Sequence, residues 1–196
     1  MKGSSDVVKE AADRLAELEK KRSLALDSSR VIVRKTKSMI HAIHMGDDYS
    51  QIADSLGDDV KALLTAIGDE PSVLCSGVVQ DTLGEYAEAM IFASVVKDDE
   101  IPSFESLGIS PQSWVMGLAD SLGEMRRMIL AYLADGELSE AKELFERMDA
   151  IGDDVLGFDI PDAIVPIRRK QDIARGVIEK TRSDITNAMV LAQYKN

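Results

Sequence analysis

The 196-residue chain carries 35 Asp and Glu against 23 Lys and Arg, a formal net charge of −12, with 45% hydrophobic and 5% aromatic residues. That acid excess excludes general attraction to nucleic acid or to an anionic membrane as a source of affinity, leaving only a local basic stripe for such a role. The lone Cys75 excludes an internal disulfide and fits a reducing cytosol, and the longest apolar run, Ala89–Val96, is far too short for a bilayer. Met1–Lys9 has no apolar stretch behind it, so the expectation is a soluble cytoplasmic protein with one domain over residues 1–196.

Ala, Leu, Glu, Asp, Lys, Arg and Met dominate, a composition that leans toward helix. The first predicted helix covers about residues 5–45 without Gly or Pro, with Val8, Ala11, Leu15 and Leu18, then Ile32, Thr36, Met39 and Ile43, at spacings of three and four. Its length suggests packing on other subunits as well as on its own core. Gly46-Asp47-Asp48 ends it, and either Asp can cap a second helix over 48–68 that carries Ile52, Leu56, Val60, Leu63 and Ile67. A third starts at Pro71 and runs to Lys97, and the breaker-rich 97–110 segment reads as a loop.

Ser110-Pro111 opens the fourth helix, whose stripe of Val115, Leu118, Leu122, Met125, Ile129 and Tyr132 is the cleanest in the chain. Asp135-Gly136 stops it, a fifth helix spans 137–157, and a sixth spans 162–193 after the break at Phe158–Asp162. Six helices with short joints predict an all-α bundle with a long N-terminal helix.

Two helices carry carboxylates at one-turn spacing. Asp81, Glu85 and Glu88 lie opposite the Leu83/Tyr86/Ala87/Met90 face of the third helix, and Asp120 and Glu124 lie away from the apolar stripe of the fourth. Such pairs can converge on a hard divalent ion, which in turn can activate water against a phosphoryl group. They can equally be solvated faces. Leu74, Phe92, Gly117 and Ala131 share those faces, a mixture that suits a cavity or a partner better than open water.

The first helix carries a basic stripe, Arg30, Arg34, Lys37, His41 and His44, within roughly 80° of arc. It can track a phosphate backbone or pair with the chain's own acids. No Glu-x-x-His motif accompanies the two histidines, so a surface or phosphate-contacting role is expected for them rather than a metal site. Trp114 and Met116 read as core, Cys75 as a buried thiol, and Arg168-Arg169-Lys170 as exposed.

These motifs resemble the translin family over about residues 20–195. Gly84-Glu85-Tyr86-Ala87-Glu88-Ala89 is similar to the Glu-Tyr-x-Glu-Ala element of translin-associated factor X. The segment Gly117-Leu118-Ala119-Asp120-Ser121-Leu122-Gly123-Glu124 with Arg127 is similar to Gly-x-Ala-Asp-x-x-Gly-Glu-x-x-Arg, the most specific match. Ser29-Arg30 through Ala42-Ile43-His44-x-Gly46-Asp47, and Arg168–Asp172 with Glu179-Lys180-Thr181, also look like the family.

The resemblance implies all-α subunits in a closed, hollow homo-oligomer, an octamer or hexamer, that binds single-stranded RNA or DNA. It further implies the activity of the factor X branch, a metal-dependent endoribonuclease. Carried over, Glu85, Glu88 and Asp120 are catalytic and hold Mg²⁺ or Mn²⁺ with Glu124, while Arg30, Arg34, Lys37, His41 and Arg127 guide the nucleic acid. The shorter chain, the compact 97–110 loop and the acidity depart from the family pattern. Two alternatives stay open: a binding protein that does not cleave, and an all-α nucleoside triphosphate pyrophosphohydrolase. The latter expects a closing Glu-x-x-Asp where this chain has Asp120-x-x-x-Glu124.

Overall fold

The computed structural model describes residues 3–193, and among them every regular element is helical. The elements are α1 (Ser4–Met45), α2 (Ser50–Ile67), single-turn α3 (Pro71–Leu74), α4 (Gly77–Lys97), single-turn α5 (Phe104–Leu107), α6 (Pro111–Asp135), α7 (Leu138–Gly157) and α8 (Arg168–Gln193). The six long helices correspond to the six expected from periodicity and breakers. Three boundaries differ from the expectation, each for a local reason.

The helix expected over 71–97 is broken at Cys75–Ser76, where Ser76 takes an extended conformation (φ −67°, ψ 142°) and α4 starts afresh at Gly77. The 97–110 connection contains α5, capped by Ser103 Oγ accepting from the Ser106 amide. The last helix begins at Arg168 rather than 162, because Pro166 lacks the amide proton and the space that a helix interior requires. Val165 and Ile167 are buried on either side of that proline and pin the connector to the core. The Gln171 side-chain amide then donates to the carbonyls of Val155 (3.1 Å) and Phe158 (2.8 Å), fixing where α8 sets off.

The remaining ends follow their sequence signals. Gly46 and Gly136 close α1 and α6 in left-handed conformations (φ 71° and 83°), which cost glycine little. Ser110 Oγ accepts from the Ser113 amide and Pro111 occupies the first turn of α6. Asp48 accepts the amide of Ser50 at 2.9 Å, in front of α2.

At the centre lies α4, with Leu83, Ala87, Ala89, Ile91 and Phe92 among its buried residues. It packs most extensively on α6; α6 also packs on α7 and α8, and α1 lies against α4 and α2. The α4/α6 crossing is made at Gly84 and Gly117, both buried, so the two backbones approach without intervening side chains. Arg126 ties α6 to α8 by donating to Thr181 Oγ1 and Asp184 Oδ2, each at 2.8 Å. The first half of α1 is different: Ala25 is its first buried residue, and Val8 and Leu15 are 67% and 65% exposed.

Candidate active site

Because α4 is central, the carboxylates it bears are drawn partly out of water. Glu85 and Glu88 emerge half-buried from α4, and Asp120 and Glu124 half-buried from the adjoining face of α6. All four line one cavity of about 340 Å³, together with Lys37, Ile40 and His41 of α1 and Arg127 of α6. Helical spacing supplies the pairs, and the close glycine crossing supplies their juxtaposition.

The electrostatics record that closeness. Glu88 is pushed up to about 8, first by burial and then by the negative charges of Asp120, Glu124 and Glu85, with Lys170 opposing them. Glu85 is raised by burial, pulled back by Lys37, and raised again by Asp120 and Asp81. A proton on Glu88 near neutral pH therefore partly relieves a site with too many anions for its volume.

Two of the carboxylates have protein cations or donors on them. His44 Nε2 donates to Glu124 Oε2 at 2.5 Å, and Arg127 lies 3.6 Å from the same oxygen. The His44 side chain is only 8% exposed, and its ring tilts against Phe92 with centroids 5.1 Å apart. Lys170, from the first turn of α8, donates through Nζ to Asp120 Oδ1.

Of the residues expected at the site, Glu85, Glu88, Asp120, Glu124, Lys37, His41 and Arg127 share the cavity. Arg30 and Arg34 do not: both are exposed, nearer the start of α1, and Arg30 pairs with Asp27 at 3.2 Å. Asp81 turns instead to a separate cleft of about 760 Å³ that includes Cys75, Gln80 and Met116. Three sequence expectations are corrected. Cys75 is exposed, because the helix break at Ser76 turns it outward. His44 is an interior hydrogen-bond donor rather than a surface residue, because α6 and Phe92 cover it. Lys170 is part-buried on Asp120, whereas Arg168 and Arg169 are exposed as expected.

His44 and Lys170 are the site residues that sequence reasoning did not assign. His44 carried a signal, since it closes the same stripe as Lys37 and His41; nothing in the sequence linked Lys170 to Asp120. The donor chemistry of the four carboxylates suits a hard divalent cation. Among the described residues, however, no group of three or more His, Cys, Asp and Glu side chains is already arranged to hold a metal ion. Asp120 and Glu124 are turned to Lys170 and His44 instead.

No model of a known protein family matches the sequence. The chain is 32% identical over 172 residues to the uncharacterized protein MJ0175 of Methanocaldococcus jannaschii, covering 87% of this chain and 78% of that protein. Among solved structures it superposes on apo-NeC3PO with a TM-score of 0.82 at 25% identity, over 96% of this chain and 98% of the other. AfC3PO gives a TM-score of 0.82 at 30% identity over 94% and 97%. AfC3PO in complex with duplex RNA gives 0.76 at 28% over the same shares. No helix among the described residues is long and apolar enough to cross a membrane. With one fold shared over nearly the whole of each chain, and the motifs on α4 and α6 in place, the protein belongs to the translin family.

Proposed function

We propose that this chain is the subunit of a homo-oligomeric, divalent-metal-dependent endoribonuclease acting on single-stranded RNA. The observation that carries the reading is the convergence of Glu85, Glu88, Asp120 and Glu124 on a single cavity whose other polar walls are Lys37, His41 and Arg127. Four acids in so small a space form a poor phosphate site by themselves, and a good one once a dication offsets their charge. The AfC3PO complex with duplex RNA supports RNA as the ligand class.

Mg²⁺ or Mn²⁺, when bound by the four carboxylates, supplies the positive charge that polarises a phosphoryl oxygen and activates water. The chain's own groups do the remainder. Lys37 and Arg127 face the cavity from opposite helices and bind phosphate oxygens on either side of the scissile position. His41, exposed at the mouth, is placed to contact the next phosphate or to carry a proton to the leaving oxygen. His44 fixes the rotamer of Glu124 through its hydrogen bond.

One observation favours a second reading, a binding protein without cleavage: Asp120 and Glu124 already have partners in Lys170 and His44, as structural carboxylates would. Cleavage of a labelled single-stranded RNA with Mg²⁺, with Mn²⁺ and with chelator decides between them, with duplex RNA and nucleoside triphosphates as parallel substrates. Glu85→Gln, Glu88→Gln and Asp120→Asn are each expected to abolish cleavage without weakening RNA binding measured in the absence of divalent metal. A wild type that never cleaves with either ion gives the binding reading the field.

A further inference from the structure

Lys170 stands apart from the other cations near the site. It shares the first turn of α8 with Arg168 and Arg169, and no acidic residue lies in that turn. A helix N-terminus is the positive end of the helix dipole, so cations clustered there are disfavoured unless an anion faces them. Arg168 lies 3.9 Å from Asp162, and Arg169 is exposed. Lys170 alone reaches inward, to Asp120.

The backbone that delivers Lys170 is anchored, while its side chain stays partly open to water. Val165, Ile167 and the Gln171 amide anchor the start of α8. The Lys170 and Asp120 side chains remain 27% and 38% exposed, so the pair can part without unfolding anything. Lysine suits such a task, being a compact point charge on a flexible stem rather than a rigid fork. The same carboxylate cannot be fully shared by an ammonium and a dication, because the two repel at contact distance.

We propose that Lys170 is the site's resident counter-cation: it holds Asp120 until a divalent ion takes that carboxylate, and the released ammonium then binds an RNA phosphate. The inference rests on the metal reading of the site given above. It makes metal and RNA binding reciprocal, because whatever draws Asp120 away from Lys170 frees a phosphate ligand, and phosphate drawing off Lys170 frees a metal ligand.

The test measures Mn²⁺ binding by electron paramagnetic resonance, and the affinity for a cleavage-resistant phosphorothioate single-stranded RNA with and without Mn²⁺. Lys170→Met is expected to bind Mn²⁺ about tenfold more tightly than wild type, since a competing charge is removed. Its RNA affinity is expected to be unchanged without metal and several-fold weaker with it. Lys170→Arg, which keeps the charge, is expected to restore competition with Mn²⁺, and Lys170→Gln provides a second neutral variant. A supporting residue with a purely structural role would instead weaken Mn²⁺ binding when removed. Unchanged or weaker Mn²⁺ binding in both neutral variants, or an RNA defect equal with and without metal, overturns this inference alone. A wild type that binds no Mn²⁺ overturns the metal reading of the site and this inference with it.

Discussion

A β-carbon on Gly117 would stand 2.5 Å from the carbonyl oxygen of Gly84, 2.6 Å from the Ala87 β-carbon and 2.7 Å from the Glu88 amide nitrogen. Two of those neighbours are backbone, which cannot yield by changing rotamer. Alanine gains about 1 kcal/mol over glycine in a helix interior, but overpacking of this kind costs about 1–3 kcal/mol. With three contacts this short the clash dominates, so Gly117→Ala is expected to lower the thermal midpoint. It also pushes α6 away from the α4 segment that bears Glu85 and Glu88. Cleavage is therefore expected to fall by more than the stability loss explains, with the variant assayed well below its melting temperature.

Glu88 sets a pH dependence whose sign follows from its raised value. The folded protein holds a proton on Glu88 up to about pH 8, whereas an unfolded chain releases it near the ordinary glutamate value of 4.5. Between those limits the native state binds more protons, so this group's contribution to stability falls as pH rises and levels off above 8. Glu88→Gln removes the ionisation and is expected to be more stable than wild type at pH 8.5, by on the order of a few kcal/mol at most. Denaturant melts from pH 5 to 9 without divalent metal check this; a wild type and variant that run parallel across that range contradict the assignment.

The basic stripe separates into two parts with different expected behaviour. Lys37 lines the cavity, whereas Arg30 and Arg34 lie on the exposed surface leading away from it. Replacing Arg30 and Arg34 together by Ala is expected to weaken single-stranded RNA binding and to flatten its salt dependence by about one to two units, without changing turnover at saturation. Lys37→Ala is expected to lower turnover as well. Filter binding across a salt series and single-turnover cleavage distinguish the two.

Helix ends were legible where the chain marks them with Ser-Pro, Asp-Gly or a lone glycine; spacing outlined the first four long helices, and breakers outlined the last two. Pro166 was equally visible, but the start expected for the last helix was set by the earlier break at Phe158–Asp162, and the second breaker ruled instead. The carboxylate pairs were legible because Glu85/Glu88 and Asp120/Glu124 are each local to one helix. Their partners were not. His44 lies 80 residues from Glu124 and Lys170 lies 50 from Asp120, and angular position on a helix says nothing about which helix stands opposite. Cys75 was misplaced for a related reason, since its orientation depends on a helix break that Ser76 introduces.

Assembly is expected from the first half of α1. Val7, Val8, Leu15 and Leu24 are all exposed there, on the same helix whose second half is firmly packed. Closed symmetric oligomers are the common way in which soluble chains cover such exposed apolar positions. Sedimentation at micromolar concentration is expected to give a mass several times the 21.4 kDa of one chain, and Leu15→Glu with Val8→Glu is expected to reduce it. A single species at the subunit mass contradicts this.

That largely exposed half-helix would also let the backbone itself report the expected association. Residues 4–24 precede the first buried residue of α1 and meet the rest of the fold through Leu18 and the bonds of Arg14 to Glu70 and of Lys21 to the Ile67 carbonyl, whereas helices in proteins draw most of their stability from a packed face. A second copy packed across it would therefore protect its inter-turn hydrogen bonds. On dilution, deuterium should enter the amides of this stretch long before it enters α4 or α6. If the copies associate as expected, the concentration at which that difference disappears measures how tightly they hold one another, without any probe attached to the protein.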